Sequence, residues 1–336
     1  MNATPAQQAA AVRSGAGLFR RSDRGVFAVE GADRVRWLDG MLSADVGALG
    51  PESSGCYALL LTPKGRIVAD LHLLQRGDVL WAETAAPAVG PVLARLQKYV
   101  IADDVLLSDI GASLARLSLE GPLATEVLEC ALAGAPVPRL APDTWGPVTL
   151  AGVEVALGAW SSSGEAGFQI LAPAEAGDAV AEALRAAAGD ALVEAGPEVL
   201  EILRIEAGVP RLGAELGEDV LPAEARLLER AVSFTKGCYT GQEIVARVAS
   251  QGQVAHLLVG FRFEEDFAPA PDAEVRVGDR VVGEVTSACQ SALVGAIGLG
   301  YVRRPHAEAG SEVRVEGRLA RVASLPFVEP AAKRPA

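Results

Sequence analysis

The sequence predicts an α+β protein of several domains that ends in a small β-barrel. Three observations lead to this fold class. The 336 residues exceed what one ordinary core holds, at roughly 150 residues per domain. Helix-like and strand-like hydrophobic patterns alternate as far as about residue 250. Beyond about residue 252 the pattern changes to short β-type segments separated by Gly or Asp turns, which is typical of a barrel.

The first portion of the chain alternates strands and helices. Residues 26–30 read as a strand, and a helix follows the candidate N-cap Asp33. Between 57 and 83, turn sequences at 62–65 and 76–78 separate three strands, so we expect antiparallel pairing. Two further elements are predicted here, a helix from about residue 87 and a strand over 105–110.

A second portion begins after a stretch rich in Ala, Pro and Gly at 133–152, which is predicted to be a connection. The predicted elements beyond it are strands at 153–157 and 168–171 and helices near 174–188 and from Pro197. The predicted barrel strands are 257–263, 274–277, 280–286, 295–302 and 312–315. The domains are therefore predicted at 1–135, 136–250 and 251–328, with a frayed tail at 329–336.

Composition excludes several classes of protein. The net charge of −13 opposes tight binding to phosphate backbones, and aromatic and basic residues do not interleave, so we expect no direct nucleic-acid binding. No apolar run approaches the roughly 20 residues of a membrane helix, and the N-terminus lacks a secretory signal, so a cytoplasmic protein is expected. The four cysteines are dispersed, which predicts neither disulfides nor a permanent metal site. Helical spacing after Val127 predicts that Cys130 is in the core.

The most informative segment is Lys236-Gly237-Cys238-Tyr239-Thr240-Gly241-Gln242-Glu243, called segment 236–243 below. Thr240 and Glu243 have the spacing of a capping box, which predicts a helix from Gly241. Cys238 would then lie near the positive end of that helix and the charge of Lys236, and both favour the thiolate. The residues alone leave open that Cys238 merely packs beneath the helix.

Segment 236–243 resembles, at every position, the signature of the YgfZ family of folate-binding proteins, which support iron–sulfur proteins. The stretch from Leu203 to Pro210 is similar to the R-x-E-A-G segment of the wider aminomethyltransferase superfamily. Residues 65–71 resemble that superfamily's G-x-I-x-D-D-L strand. The resemblance implies three domains around a central opening in which tetrahydrofolate binds.

Two departures from the superfamily bear on activity. The paired aspartates of the strand are replaced by Ala69-Asp70, and a glutamate that recognises the pterin is replaced by Gln169. An amide can form hydrogen bonds but cannot act as a charged acceptor. The resemblance therefore implies folate binding with negligible glycine-cleavage turnover.

The resulting hypothesis is a tetrahydrofolate-binding protein that supports the assembly, repair or maintenance of iron–sulfur clusters in other enzymes, including tRNA-modifying ones. Its partners would be iron–sulfur enzymes or cluster carriers. Cys238 is the candidate reactive group and Lys236 its activator. The resemblance implies these folate-binding residues: Asp70, Arg204, Gln169, Tyr239, Gly237, Gly241, Gln242 and Glu243. Two alternatives stay open, a folate-dependent aminomethyltransferase like the glycine-cleavage T-protein and a non-catalytic adaptor that docks partner proteins.

Overall fold

A computed structural model describes residues 3–50, 52–264 and 267–331, which form eight α-helices and seventeen β-strands. The helices are α1 (Pro5–Val12), α2 (Arg34–Met41), α3 (Val89–Gln97), α4 (Ala124–Ala131), α5 (Gly177–Ala188), α6 (Pro197–Ala207), α7 (Leu228–Ala231) and α8 (Gln242–Gln251). The first eleven strands are β1 (Ala16–Arg20), β2 (Arg24–Glu30), β3 (Glu52–Leu61), β4 (Ile67–Arg76), β5 (Val79–Ala85), β6 (Leu106–Asp109), β7 (Leu114–Glu120), β8 (Trp145–Leu150), β9 (Val153–Gly158), β10 (Gly167–Pro173) and β11 (Leu192–Glu194). The last six are β12 (His256–Phe263), β13 (Ala273–Val277), β14 (Arg280–Ser291), β15 (Gly295–Arg303), β16 (Glu312–Val315) and β17 (Arg318–Ala323).

The first sheet has the order β3-β4-β5-β2-β6, and all its pairings are antiparallel. The predicted strands between 57 and 83 are confirmed as β3, β4 and β5. Along β4, Ala69, Leu71 and Leu73 belong to the core that α2 and α3 cover. Because side chains alternate along a strand, Asp70 and His72 lie on the opposite face. That face is the one turned toward the second sheet.

The second sheet has the order β11-β1-β7-β10-β9-β8, and α4 and α5 pack on it. Its strands come from distant parts of the chain, since β1 pairs in parallel with β11 and antiparallel with β7. The prediction that 133–152 is only a connection is wrong, because β8 lies within it. Pro147 fits there because β8 is an edge strand, where a missing N–H breaks no ladder.

The two sheets meet through a small apolar cluster that includes Val26 and Leu74 of the first sheet and Leu171 of the second. Trp145 and Trp160 complete this contact. The second sheet takes strands from both sides of the predicted domain boundary at residue 135. That boundary stays a prediction.

The C-terminal strands close into a six-stranded barrel in the order β12-β15-β14-β13-β16-β17, as the sequence predicted for this region. The sequence did not predict β17, which closes the barrel by pairing with β12 and β16. A core formed with α1 and α6 joins the barrel to the rest of the chain. Of the predicted tail, residues 332–336 lie outside the described residues.

Two local predictions are wrong. Gly241, in the left-handed region at φ 85°, is the N-cap of α8 and makes no side-chain capping bond, so the capping box of Thr240 and Glu243 does not form. Cys130 is exposed rather than in the core, because α4 turns Val127 and Leu128 inward instead. None of the helices in the described part of the chain has the length and apolar composition needed to cross a membrane.

Candidate functional site

A cavity of about 570 Å³ lies where the first sheet, the loop after β9, α6 and the chain near α7 meet. Its wall combines aromatic rings with charged side chains of both signs. The aromatic and polar residues of this wall include Arg21, Asp23, Arg24, Tyr57, Asp70, His72, Trp160, Arg204 and Arg230. A concave site with few, converging polar groups is the usual form of a small-molecule site.

The floor of the cavity is formed by Tyr57 of β3 and by Asp70 and His72 of β4. Tyr57 and His72 are directly opposed in the ladder, and Asp70 is two residues along the same face. The Tyr57 hydroxyl donates to Asp70 Oδ2 at 3.3 Å, whereas Asp70 Oδ1 is enclosed and has no hydrogen-bond partner. Burial, with the Asp70 charge, raises the pKa of Tyr57 well above its usual value, so the phenol keeps its proton.

His72 is held in a stack of rings. Its imidazole lies 4.1 Å from the Trp160 ring at an interplanar angle of 4°, and 4.7 Å from the Tyr57 ring. Trp145 meets Trp160 edge to face. Burial and the nearby guanidinium groups, Arg230 foremost, lower the pKa of His72 well below its usual value. The imidazole is therefore neutral and fixed in orientation.

The arginines around the floor are already engaged. Arg24 donates to Glu83 at 2.9 Å, and Arg21 makes a two-fold contact with Asp23 at 2.9 Å for each bond. Burial acts to raise the pKa of Asp23, but the hydrogen bond and charge of Arg21 outweigh it and the pKa is lowered. Arg230 lies 4.3 Å over the Tyr57 ring and is bound by both oxygens of Asp143. These guanidinium groups place positive charge around the cavity. Each of them is already bound to a carboxylate of the protein.

Arg204, one of the predicted folate-binding residues, lines the cavity but ties three parts of the chain together. Its guanidinium donates to Glu201, Glu215, Ser287 and the carbonyl of Val209. These contacts occupy all five N–H donors of the group. The structure leaves the guanidinium no free donor for a ligand. A contact between Arg204 and folate therefore stays a prediction.

Gln169 lies behind the wall rather than on the cavity. Its carbonyl oxygen accepts from Arg21 at 3.3 Å, and its amide donates to the carbonyl of Trp160 at 3.2 Å. Next to it, the fully buried Glu120 accepts from the backbone N–H groups of Ser162 and Ser163. Together these groups fix the loop that carries Trp160 to the cavity.

Segment 236–243 does not line the cavity. Lys236 Nζ contacts Asp39 Oδ1 at 2.7 Å and the carbonyls of Asp39, Leu42 and Ala44 at the end of α2. An ammonium has three donors, so these oxygens leave none for the exposed Cys238. The geometry thus assigns Lys236 to the end of α2, a role that the sequence did not reveal.

The other residues of segment 236–243 also lie away from the cavity. Tyr239 packs in a core with Tyr57 and Leu59. Gly237 and Glu243 are exposed, and Gln242 and Gly241 are half-buried at the start of α8. Their predicted contact with folate stays a prediction.

Sequence reasoning missed most of the cavity floor. It singled out Asp70 but not Tyr57, His72 or Arg230. The period-two pattern of β4 could have pointed to His72, since it shares the face of Asp70. Arg230 and Trp160 reach the floor from distant parts of the chain and left no local signal. Within residues 3–50, 52–264 and 267–331, no three His, Cys, Asp or Glu side chains group as a metal site.

The fold and the cavity define a class: two packed sheets with flanking helices, a C-terminal barrel, and a small-molecule cavity between the first sheet, the loop after β9, α6 and the chain near α7. Residues 1–236 match the GCVT N-terminal domain, and residues 257–329 match the glycine cleavage T-protein C-terminal barrel domain. The chain therefore belongs to the glycine cleavage T-protein family.

Known proteins with similar sequences or structures agree with this family. A protein named aminomethyltransferase from Moorella thermoacetica is 32% identical over 323 residues, which is 94% of this chain and 87% of that protein. One of the same name from Rubrobacter xylanophilus is 34% identical over 94% of this chain and 84% of its own length. The glycine cleavage system aminomethyltransferase T from Bartonella henselae superposes with a TM-score of 0.85 at 26% identity, covering 97% of this chain and 90% of that one.

Proposed function

We propose that the cavity binds a reduced folate and that the protein is a folate-dependent aminomethyltransferase. The observation that carries this proposal is Asp70 Oδ1, a carboxylate oxygen enclosed at the cavity floor with no partner from the protein. A buried acceptor without a donor is costly, and an N–H group of a bound ligand would relieve that cost. In the proposed reaction the Asp70 carboxylate contacts the folate nitrogen and accepts a proton from it.

The sequence departs from the superfamily at Ala69 and Gln169. In the structure these two departures argue less strongly against aminomethyl transfer than they did in the sequence alone. Ala69 is fully buried in the core of the first sheet, on the face of β4 away from the cavity. A carboxylate at position 69 would therefore point away from the ligand, and the carboxylate on the cavity side is retained as Asp70. Gln169 contacts Arg21 and the loop of Trp160 instead of lining the cavity. The family membership and the retained Asp70 together support transfer activity.

The test compares the parent with Asp70→Asn. Calorimetric titration with tetrahydrofolate under anaerobic conditions should show binding by the parent and a roughly tenfold to hundredfold weaker affinity for the variant. Asp78→Asn, on the exposed β4–β5 turn, serves as the control and should bind as the parent does. Turnover is measured with the other glycine-cleavage proteins. Binding without turnover would reject the transferase and keep the folate site.

A second candidate function rests on segment 236–243 and its exposed Cys238. Its likeness to the YgfZ signature supports a cytoplasmic protein that binds tetrahydrofolate and maintains iron–sulfur clusters in partner enzymes, among them tRNA-modifying ones. A single thiolate supplies one of about four cluster ligands, so any cluster contact would be shared with a partner. Asp70 and the cavity would bind folate in this case too.

Two exposed cysteines allow a matched test of the second candidate. Cells that carry Cys238→Ala should lose activity in iron–sulfur enzymes, while cells that carry Cys130→Ala should keep it, since both thiols are exposed and only one lies in segment 236–243. Equal activities in the two strains would reject this function. Absence of tetrahydrofolate binding at millimolar concentration would instead favour the adaptor hypothesis.

A further inference from the structure

The arginines of the cavity wall differ in how many of their N–H groups the protein itself uses. An arginine side chain carries five such donors in a planar fork. Arg204 uses all five within the protein, and Arg21 forms bonds through each of its three nitrogens. Arg24 and Arg230 use only part of their donors, so the remaining ones can bind a ligand.

Arg24, the first residue of β2, keeps both of its terminal nitrogens open. Its Nε donates to Glu83 Oε1 at 2.9 Å, and this is the only hydrogen bond of the side chain among the described residues. The side chain is 12% exposed, yet neither Nη1 nor Nη2 is an enclosed atom, in contrast to Asp70 Oδ1. Because Arg24 lines the cavity, we place the exposed surface of these two nitrogens in the cavity wall. Four donors of a permanently charged group therefore have no acceptor in the described chain.

Arg230 of α7 adds a third open nitrogen to the same wall. Its Nε and Nη2 bind the two oxygens of Asp143, while Nη1 has no hydrogen-bond partner within the described ranges. The guanidinium lies 4.3 Å over the ring of Tyr57. Burial, followed by the charges of Arg230 and Arg24, lowers the pKa of His72, so both guanidinium groups lie close to this imidazole. The two sets of open donors thus border one part of the cavity.

We propose that Arg24 and Arg230 form a subsite for a carboxylate, an inference that deepens the proposed folate site and rests on it. The planar fork of a guanidinium matches the two oxygens of a carboxylate, and such charge-assisted pairs are stronger than neutral hydrogen bonds. Arg24 binds the group through Nη1 and Nη2, and Arg230 adds a bond from Nη1. A carboxylate suits this subsite better than a neutral carbonyl, since both of its oxygens pair with the fork at once.

Two kinds of ligand can supply this carboxylate. Folate carries carboxylates on its glutamate part, and a separate small acid bound beside folate carries one as well. Burial acts to lower the pKa of Arg24, but the charges of Glu83 and Asp70 outweigh it and raise that pKa. Arg24 is therefore within electrostatic reach of Asp70, so a small acid held there would lie beside the group proposed to contact the folate nitrogen. Probes with and without the glutamate separate the two sources.

The first experiment uses the unaltered protein and anaerobic calorimetry. The probes are tetrahydrofolate, tetrahydropteroate, which lacks the glutamate, and acetate as the simplest carboxylate. If the glutamate occupies the subsite, tetrahydrofolate should bind about tenfold to hundredfold more tightly than tetrahydropteroate. If a small acid occupies it, the two pterins should bind equally and acetate should bind to the folate-saturated protein. Equal binding of the two pterins without binding of acetate would overturn the inference, while the folate site would stand.

The second experiment repeats these titrations on variants. Arg24→Lys keeps a positive charge beside Glu83 but replaces the fork with one ammonium, and should weaken the binding that depends on the carboxylate by about tenfold. Arg230→Lys should weaken it by a smaller factor, since one bond is lost. Arg20→Gln, at an exposed arginine outside the cavity, is the control and should bind as the parent does. Unchanged affinities in both lysine variants would overturn the inference. Absence of tetrahydrofolate binding by the parent would overturn the proposed function and the inference together.

Discussion

The cavity floor and segment 236–243 both contain buried polar side chains. The two regions differ in whether those side chains find hydrogen-bond partners within the protein. On the floor, Asp70 Oδ1 is enclosed without a hydrogen-bond partner. In segment 236–243 the buried Lys236 has more acceptors around it than it has protons to donate. Native proteins rarely leave buried polar atoms unpaired, so an unpaired carboxylate oxygen on a cavity-lining residue favours a ligand there, whereas a saturated set of donors is typical of a structural anchor.

The largest effect on stability is expected from Lys236→Met. The change leaves the Asp39 carboxylate and three carbonyl oxygens at the end of α2 without their cation, and breaking such a buried pair costs about 3–5 kcal/mol. Chemical denaturation of the variant measures the loss. Lys98→Met, on the exposed end of α3, is the control and should change the free energy of unfolding by less than about 0.5 kcal/mol. A loss for Lys236→Met that is no larger than for the control would show that the ammonium is not an anchor.

The next largest effect on stability is expected at one of the two glycines of segment 236–243 and not at the other. Gly241 has φ 85°, and a Cβ there would lie 2.6 Å from the carbonyl oxygen of Thr62, whereas a Cβ at Gly237 would meet nothing within 4 Å. Gly241→Ala should therefore lower the free energy of unfolding by about 1–3 kcal/mol, through backbone strain and the clash. Gly237→Ala should have little effect. Similar melting temperatures for the two variants would contradict this packing.

A smaller effect concerns pH. The folded-state pKa of His72 is lowered, so below about pH 6.5 the unfolded chain binds a proton at His72 that the folded chain does not. Stability is therefore complete above this pH and falls as the pH drops. From pH 6.5 to 5.5 the contribution of His72 should amount to about 1 kcal/mol. Denaturation of the parent and of His72→Gln across this window tests it, and equal slopes for the two proteins would refute the shift.

The smallest effect is expected from Thr240→Ala. A true N-cap would cost about 0.5–2 kcal/mol on removal, but Gly241 holds the N-cap position of α8 and no side chain caps it. The change should therefore alter the free energy of unfolding by less than about 0.5 kcal/mol. A loss above 1 kcal/mol in the same denaturation assay would restore the capping box.

The sequence predicted those elements whose signals lie in a few neighbouring residues. The hairpins of β3, β4 and β5 were predictable because the turn sequences at 62–65 and 76–78 are local signals. The barrel was predictable for the same reason. Strand β8 was missed because Pro147 and Gly146 obscure a strand whose place is fixed by an edge position and a buried Trp145.

Of the residues that line the cavity, family resemblance pointed to Asp70 and Arg204. The ring stack on His72 joins β4 to the loop of Trp160, and the Asp143–Arg230 contact joins the connection before β8 to α7. Such long-range contacts depend on the packing of complete elements, which local periodicity does not encode. The capping box was wrong for the opposite reason, since a local motif matched while a glycine turn, packed against the carbonyl of Thr62, determined the helix start.

The strand order of the second sheet has a consequence for folding during synthesis. The first sheet is drawn from residues 24–109, so all its strands are synthesised within one stretch of the chain. Strand β1 is made before them, yet its parallel partner begins at Leu192, opposite Ala16. At ordinary rates of translation that partner follows about 10–35 s later. For that interval the edge of β1 that later pairs with β11 stays unpaired, which leaves it open to wrong pairing during synthesis.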